Sequence, residues 1–210
     1  MPSLTATYRL QLNAGFTLAD ARAHVEYLVR LGVSHIYCSP VLAARAGSTH
    51  GYDVVDPARI NSELGTETDL RALSQDLHAR DMGLVLDIVP NHMGMSAENP
   101  YWDSVLAHGE RSRYARWFDI DWSSGAGGRR TVTLPILGDD LDRVLERGEL
   151  VVRLEPDNAP RIGYHGRSFP IDPSTTPSRT RRRMSACVSA NTSGSSTRRP
   201  TRSVTSKKRR

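Results

Sequence analysis

Gly83-Leu84-Val85-Leu86-Asp87-Ile88-Val89-Pro90-Asn91-His92 is the stretch that decides the fold class of this 210-residue chain. Its first four residues form a short apolar run, and polar residues follow directly. This pattern is typical of a buried parallel strand that opens into a loop. In α/β barrels, the loops at the carboxyl ends of the strands carry the ligand-binding groups. The sequence therefore predicts a parallel strand here, followed by a functional loop.

Two strand–helix units precede this stretch, and together they predict the class of the fold. The predicted elements are a strand at 5–12, a helix from the N-cap Thr17 to Gly32, a strand at 33–39, a long loop to Gly65 and a helix at 66–80. The strands are short and rich in β-forming residues, and the helices repeat apolar residues every three or four positions. The order β-α-β-α-β predicts an α/β fold with a parallel sheet and right-handed crossovers.

Several motifs, in the same order, resemble a known enzyme family. The hexapeptide Asp-Ile-Val-Pro-Asn-His at 87–92 resembles the first signature region of the α-amylase clan, glycoside hydrolase family 13. Residues 7–12 (Thr-Tyr-Arg-Leu-Gln-Leu), 47–57 (Gly-Ser-Thr-His-Gly-Tyr-Asp-Val-Val-Asp-Pro) and 114–122 (Tyr-Ala-Arg-Trp-Phe-Asp-Ile-Asp-Trp) resemble its maltooligosyltrehalose synthase branch. The resemblance spans about residues 5–175. It implies the N-terminal part of a (β/α)₈ TIM barrel, strands 1–3, plus the start of the domain inserted after strand 3.

The resemblance and the composition divide the chain into three parts. Residues 1–95 are predicted as a partial (β/α)₈ catalytic barrel, residues 96–175 as the inserted subdomain, and residues 176–210 as a disordered tail. Residues 177–210 hold 11 Lys or Arg, 13 Ser or Thr and no acid, and such a segment buries too little apolar surface to offset its ordering entropy. Without them the net charge changes from +5 to −6, because 17 basic and 23 acidic residues remain. The abrupt change suggests a frameshift, and a genuine basic arm is the alternative.

The inserted subdomain is predicted to be a mixture of short elements. Its predicted strands are 131–137, 150–154 and 161–164, and its predicted helix is 141–146.

The resemblance assigns sugar contacts to two loop residues. Tyr52 falls where the family places a tyrosine that stacks on the glucose ring of the cleavage subsite, an aromatic face against the C–H face of a sugar. His92 matches the sugar-binding histidine of the family, whose neutral imidazole donates a hydrogen bond without adding charge. Both are therefore predicted to bind substrate.

Five further residues are candidates around the same cleft. His50, Asp53 and Arg45 are predicted to line it, although ordinary polarity of a solvated loop explains them equally well. Asp87 is expected to fix loop geometry rather than to catalyse. Asn91 matches a calcium ligand of many amylases, but a structural role is expected in this branch, so no metal site is predicted.

No catalytic residue is assigned in this chain. Retaining glycosidases need two carboxyl groups about 5–5.5 Å apart, and the resemblance implies an Asp after strand 4, a Glu after strand 5 and a third Asp after strand 7. The predicted elements reach only strand 3, whereas a complete barrel needs about 250 residues. The chain is expected to lack the catalytic carboxylates, and no cofactor is expected.

The activity that the resemblance implies is that of a (1→4)-α-D-glucan 1-α-D-glucosylmutase. This isomerase converts the reducing-end α-1,4 bond of a maltodextrin to the α,α-1,1 bond of trehalose by intramolecular transglucosylation. Two hypotheses stay open for the chain itself: an inactive part of such an enzyme, and a maltodextrin-binding module without turnover. A third and weaker one is a nucleic-acid binder, in which the basic residues 207–210 contact phosphates.

Other features limit location and partners. No stretch reaches the roughly 20 apolar residues of a membrane helix, and no signal-peptide pattern follows Met1. Two cysteines, Cys38 and Cys187, do not make a disulfide framework, so free thiols and a cytoplasmic location are expected. The expected partner is a maltooligosaccharide, and the oligomeric state stays open.

Overall fold

The computed structural model describes residues 3–123, 132–155, 159–172 and 174, so the predicted tail at 176–210 lies outside the described residues. In chain order the elements are β1 (Thr7–Leu10), α1 (Leu18–Ala23), α2 (Val25–Leu31), β2 (His35–Cys38), β3 (Leu42–Ala44), β4 (Val54–Ile60), α3 (Glu67–His78), β5 (Gly83–Leu86), α4 (Pro100–His108), two 3₁₀ turns (Gly109–Arg111 and Ala115–Trp117), α5 (Leu141–Glu146), β6 (Val151–Leu154), β7 (Pro160–Tyr164) and β8 (Arg167–Pro170). None of the described helices is long and apolar enough to cross a membrane.

The three predicted strands form a parallel sheet in the order β1-β2-β5. Leu10 lies beside Cys38, which in turn lies beside Leu86. Helices α1 to α3 pack on one face of this sheet, and the buried core between them includes Leu10, Leu12, Leu18, Leu28, Ile36, Cys38, Leu73 and Leu77. The β-α-β-α-β order predicted from the sequence is confirmed.

The predicted helix from Thr17 to Gly32 is wrong as a single element, although both of its ends are correct. Thr17 and Asp20 form a capping box at the start, and Gly32 ends α2 with a φ of 80°. At His24 the backbone N–H bonds to the oxygen of Ala21, three residues back. The ring Nδ1 of His24 lies 2.7 Å from the Asp20 carbonyl oxygen. The side chain thus occupies an acceptor that a continuous helix would use, and the helix divides there.

The predicted long loop up to Gly65 is also wrong in part, because it contains the antiparallel pair β3 and β4. Val54 and Val55 are buried, which supplies the apolar side of this hairpin. The connecting loop turns back against the end of β2. At Gly51, with a φ of 77°, a Cβ atom would lie 2.8 Å from the carbonyl oxygen of Pro40, so only glycine fits this approach.

The described part of residues 96–175, which the sequence predicts as an inserted subdomain, contains α4, α5 and an antiparallel sheet in the order β6-β7-β8. The helix predicted at 141–146 and the strands predicted at 150–154 and 161–164 are confirmed as α5, β6 and β7. The strand predicted at 131–137 is wrong over residues 132–137, which form no ladder; residue 131 lies outside the described part. Instead, this segment leads to Gly138, whose N–H donates to the buried Tyr164 hydroxyl at 2.9 Å.

Cys38 lies in the middle of the parallel sheet. It is a free cysteine with no solvent exposure, and burial raises the pKa of its thiol to about 11. The prediction of a thiol at this position is confirmed, while Cys187 lies outside the described residues.

Candidate functional site

Polar side chains stand on the face of the parallel sheet that the helices do not cover. Successive side chains of a strand point to opposite faces, so the buried Leu10 of β1 places Arg9 on the uncovered face. The register sets Arg9 beside Tyr37 of β2. Asp87 directly follows β5, and its N–H donates to the carbonyl oxygen of Cys38 at 3.0 Å. Three polar side chains from three neighbouring strands therefore meet near the carboxyl ends of the strands.

The Asp87 carboxylate is the centre of a hydrogen-bond network. Its Oδ2 accepts from the Tyr52 hydroxyl at 2.6 Å, from the Tyr37 hydroxyl at 3.0 Å and from Arg9 Nη1 at 3.3 Å. Arg9 Nη2 also donates to the Tyr52 hydroxyl at 3.1 Å, and the guanidinium lies 4.7 Å from the centre of the Tyr37 ring. All three bonds to the carboxylate use one oxygen, so Oδ1 is available to a ligand donor.

The network also sets the protonation state of each group. The hydrogen bond from Tyr52 is the main cause that lowers the pKa of Asp87, and bonds from Tyr37 and Arg9 add to it. The same bond to Asp87 raises the pKa of Tyr52, and the bond to Tyr52 is the main cause that raises the pKa of Arg9. At neutral pH the site therefore holds an anionic Asp87, a neutral Tyr52 and a cationic Arg9. Such a network orients side chains and has no proton ready to transfer.

The loop between β3 and β4 presents Tyr52 to the solvent. Gln11 Nε2 donates to the backbone oxygen of His50 at 3.4 Å, and His50 Nδ1 accepts the Tyr52 N–H at 3.0 Å. The rings of His50 and Tyr52 stack with centres 6.0 Å apart. Asp53 accepts from the Ser48 hydroxyl, which closes the loop. Tyr52 remains 36% exposed, so its ring is fixed at the hydroxyl end and open to a ligand.

His92 and Asn91 stand apart from this network. Nδ1 of His92 lies 3.0 Å from Oδ1 of Asn91, and both residues are exposed. Within the part of the chain that the structure describes, no hydrogen bond joins either of them to Asp87 or Tyr52. The structure thus brings together Tyr52, Asp87 and the loop residue His50, while the roles of His92 and Asn91 stay predictions.

Sequence reasoning missed three members of the site: Arg9, Gln11 and Tyr37. The signal was present in the alternation of the strand predicted at 5–12, in which Arg9 and Gln11 fall on one face and the apolar Leu10 on the other. When one face of a strand is buried and the other carries polar side chains, the polar face is a candidate surface for binding a polar ligand.

A second carboxylate, Asp56 of β4, is bound by residues that do not belong to the Asp87 network. Its Oδ2 accepts from Arg59 Nε at 2.6 Å and its Oδ1 from the Tyr101 hydroxyl at 2.8 Å. Burial would raise the pKa of Asp56, but the bonds from the Ala58 N–H, Arg59 and Tyr101 outweigh it and lower that pKa. Asp56 is therefore ionised at neutral pH, as Asp87 is. Over the described ranges, no group of three His, Cys, Asp or Glu side chains is placed to hold a metal ion.

Comparison with protein families identifies the fold to which this site belongs. The family model of the α-amylase catalytic domain matches residues 17–136, which is more than half of the chain. The chain belongs to the α-amylase family. The three parallel strands are accordingly the N-terminal part of a (β/α)₈ barrel of the α-amylase type.

Individual relatives agree with the branch that the motifs indicated. A maltooligosyl trehalose synthase of Mycobacterium tuberculosis is 43% identical over 173 residues, 75% of this chain and 22% of the relative. The solved structure of maltooligosyltrehalose synthase from Arthrobacter ramosus has 44% identity and a TM-score of 0.72, covering 84% of this chain and 22% of that one. The Sulfolobus tokodaii structure has 38% identity and a TM-score of 0.70, covering 82% and 22%. The chain spans about a fifth of the length of these relatives.

Proposed function

We propose that this chain supplies part of the maltooligosaccharide site of a maltooligosyltrehalose synthase-like protein. One observation carries the proposal: the hydrogen bonds of Asp87 hold the half-exposed ring of Tyr52 at the carboxyl ends of the parallel strands. This is the end of an α/β barrel at which ligands bind. The names of the relatives supply the substrate class.

The chemistry of the network suits a glucose unit. A pyranose ring offers an apolar C–H face, which the exposed Tyr52 ring can cover. Its hydroxyls donate and accept, and Asp87 Oδ1 offers an acceptor that no described residue uses. We propose that His50 and Asp53, in the loop that carries Tyr52, contact hydroxyls at the edge of the ring.

His92 is proposed as a contact that forms when the sugar binds. It follows β5 in the chain, so it belongs to the same end of the sheet as Tyr52. Because its Nδ1–H donates to Asn91 Oδ1, the exposed Nε2 of the neutral ring can accept from a sugar hydroxyl. Asn91, bonded to His92, is proposed to orient that ring. Residues 1–95 would then form the barrel part of the site and residues 96–175 the inserted part; a cytoplasmic location stays a prediction.

Binding without turnover is the activity that we propose for these residues on their own. Glycosidic bond cleavage with retention needs a carboxyl that can donate a proton and a second one about 5–5.5 Å away. Asp56 and Asp87 are both ionised at neutral pH, and both are occupied by donors from the protein. Isomerisation of a maltodextrin would therefore require carboxylates other than Asp56 and Asp87.

The experiment is a calorimetric titration of the full 210-residue chain with maltopentaose, using Tyr52→Ala and Tyr52→Phe. The phenylalanine variant keeps the stacking face and loses only the hydroxyl, whereas the alanine variant loses both. We expect Tyr52→Ala to weaken binding by up to about tenfold and Tyr52→Phe to weaken it less. Tyr27→Ala, at an exposed tyrosine of α2, is the matched control. Unchanged affinity in Tyr52→Ala would refute the proposal.

A further inference from the structure

Strand β6 lies at an edge of the antiparallel sheet and has, among the described strands, a neighbour on one side alone. The unpaired backbone groups of such an edge can pair with another chain unless something protects them. The other edge strand, β8, is protected, because α4 packs beside it and Pro170 at its end has no N–H. Strand β6 contains no proline, and three of its four residues are exposed. This edge is therefore open to a further strand.

The ladder between β6 and β7 shows which backbone groups of β6 point outward. Directly after β6 the Glu155 N–H donates to the Ala159 carbonyl oxygen at 3.1 Å, so these two residues are a hydrogen-bonded pair. Hydrogen-bonded and non-hydrogen-bonded pairs alternate along an antiparallel ladder, so the odd-numbered residues of β6 bond to β7. The even-numbered residues, Val152 and Leu154, direct their N–H and C=O groups to the free edge.

Both faces of this edge expose apolar side chains. Val151 is 43% exposed and Val152 is 52% exposed, and successive side chains of a strand point to opposite faces. The helix before the strand is similar, since Leu141 and Leu145, one turn apart on α5, are also exposed. Exposed apolar surface that is concentrated in one segment typically marks an interaction with another protein.

The charged residues along the edge can pair with those of a second copy. Arg153 is exposed, and within the described part of the chain it forms no ion pair. Glu149 is ionised at neutral pH, because its bonds with Arg147 and His165 lower the pKa of its carboxyl. When two copies of β6 run antiparallel about a twofold axis at Val151, each Arg153 lies opposite Glu149 of the other copy. Opposite charges at facing positions stabilise a pair of strands.

Other registers of the two copies are less favourable. An axis between two residues would set an outward-directed residue opposite one that bonds to β7. Moving the axis by one residue places like charges opposite each other: Glu149 opposite Glu155, or Arg153 opposite Arg147. Charge complementarity therefore selects the axis at Val151.

We propose that β6 is a self-association edge, through which two copies of this chain form a twofold symmetric dimer. The three strands of one antiparallel sheet continue into the three strands of the other. Each Val152 exchanges two backbone hydrogen bonds with Leu150 of the second copy, and the two Val151 side chains meet at the axis. An ion pair between Arg153 and Glu149 lies on each side of them. A twofold interface is self-complementary, so one short strand supplies both halves.

The first test is sedimentation equilibrium of the 210-residue chain at several concentrations, with the variants Val152→Pro and Val152→Thr. Proline removes an N–H that β7 does not use, and its φ suits an edge strand. Threonine keeps this N–H and the shape of the side chain. Val152→Pro should raise the Kd of the dimer by about tenfold or more, because the dimer loses two hydrogen bonds. Val152→Thr should raise it by less.

The second test addresses the charges. Arg153→Glu places like charges on both sides of the axis and should raise the Kd of the dimer by about tenfold. Arg167→Glu is the matched control, because Arg167 is an exposed arginine on the opposite edge strand. It should leave the Kd unchanged.

The third test addresses the register by cross-linking in a Cys187→Ser background. Val151→Cys should give a disulfide-linked dimer on oxidation with copper phenanthroline, because the two side chains meet at the axis. Val152→Cys is the control. Its two copies lie on a diagonal of the ladder, about 7–8 Å apart, so it should cross-link far more slowly. Cys38 is buried and should not react.

Each outcome supports or overturns the inference. A chain that sediments as a monomer at every concentration would overturn it. A dimer that persists in both Val152→Pro and Arg153→Glu would show that another surface joins the copies, such as an edge of the parallel sheet. Equal cross-linking of Val151→Cys and Val152→Cys would overturn the register. If Val152→Pro does not fold, Arg153→Glu and the cross-link decide. None of these results depends on maltopentaose binding at Tyr52.

Discussion

Replacing Asp87 by asparagine tests the network at its centre. The substitution keeps the shape of the side chain and one acceptor oxygen but removes the negative charge. Tyr52, Tyr37 and Arg9 all donate to the same oxygen of Asp87, at 2.6, 3.0 and 3.3 Å. The neutral amide can accept from one or two of these donors, and the charge-assisted part of every bond is lost.

The expected cost follows from the exposure of the partners. Hydrogen bonds to a charged group contribute about 1.5–3 kcal/mol when they are well buried. Here the Arg9 side chain is 37% exposed and that of Asp87 16%, so solvent screens much of the attraction, and exposed pairs contribute only about 0–1 kcal/mol. We therefore expect Asp87→Asn to lower the free energy of unfolding by about 1 kcal/mol at neutral pH.

The stability that Asp87 contributes should depend on pH in a definite direction. The pKa of Asp87 is lowered in the folded state, so its contribution is fully present above the pKa of the unfolded chain, about 3.9. The contribution is lost as the pH falls through the lower, folded-state pKa. The asparagine variant has no such titration. The difference in stability between the two proteins should therefore be constant from pH 7 to about pH 5 and should shrink below about pH 4.

Urea unfolding at a series of pH values measures this difference. Asp119→Asn is the matched control, because Asp119 is exposed and forms no hydrogen bond or ion pair among the described residues. It should leave the free energy of unfolding nearly unchanged at every pH. The reasoning is refuted if Asp87→Asn shows no loss at pH 7, if its loss persists undiminished down to pH 3, or if the control loses as much.

Three further outcomes are expected. Thr66→Ala removes the capping box at the start of α3 and should lower the free energy of unfolding by about 1 kcal/mol, whereas Thr68→Ala, at an exposed position two residues later, should cost much less in the same urea assay. Gly83→Ala would drive a Cβ atom into the His35 ring, so it should cost about 1–3 kcal/mol, and adding His35→Ala should recover most of the loss. Incubation of the purified chain with maltopentaose should yield no non-reducing sugar above a buffer blank, and a detectable amount would contradict binding without turnover.

The parallel sheet could be predicted because its signals are local. Each strand is short and rich in β-forming residues, and the sequence marks helix ends with Thr17 and Thr66 at two starts and Gly32 at one end. Such features depend on residues within a few positions of each other. The structure moved the ends of these predicted strands and helices by no more than two residues.

The features that the sequence did not predict depend on distant partners. In β4, Val54 and Val55 are followed by Asp56 and Pro57, a mixture that resembles a loop until its antiparallel partner β3 is known. The division at His24 arises from a side chain that competes for a backbone acceptor, which periodicity does not show. In both places a tertiary or side-chain contact overrode the local pattern.

The candidate site was predicted in its chemistry rather than in its connections. Family motifs pointed to Tyr52 and Asp87, and the structure joins them directly. The motifs did not indicate that Arg9 and Tyr37 complete the network, because a single Arg or Tyr in a strand has no distinctive spacing. Only the register of β1 against β2 places these two side chains together.

The reactivity of Cys38 offers a way to measure how often the parallel sheet opens. Thiol reagents react with the thiolate, and with a pKa of about 11 only about one thiol in a thousand is ionised at pH 8. Burial also keeps a reagent out, so labelling must wait until β2 separates from its neighbours. In a Cys187→Ser variant, Cys38 is the single thiol of the sequence, and its labelling rate would report how often β2 separates from its neighbours. A sugar that binds only the closed sheet would lower this labelling rate in proportion to the fraction of protein that has sugar bound, without any need for turnover.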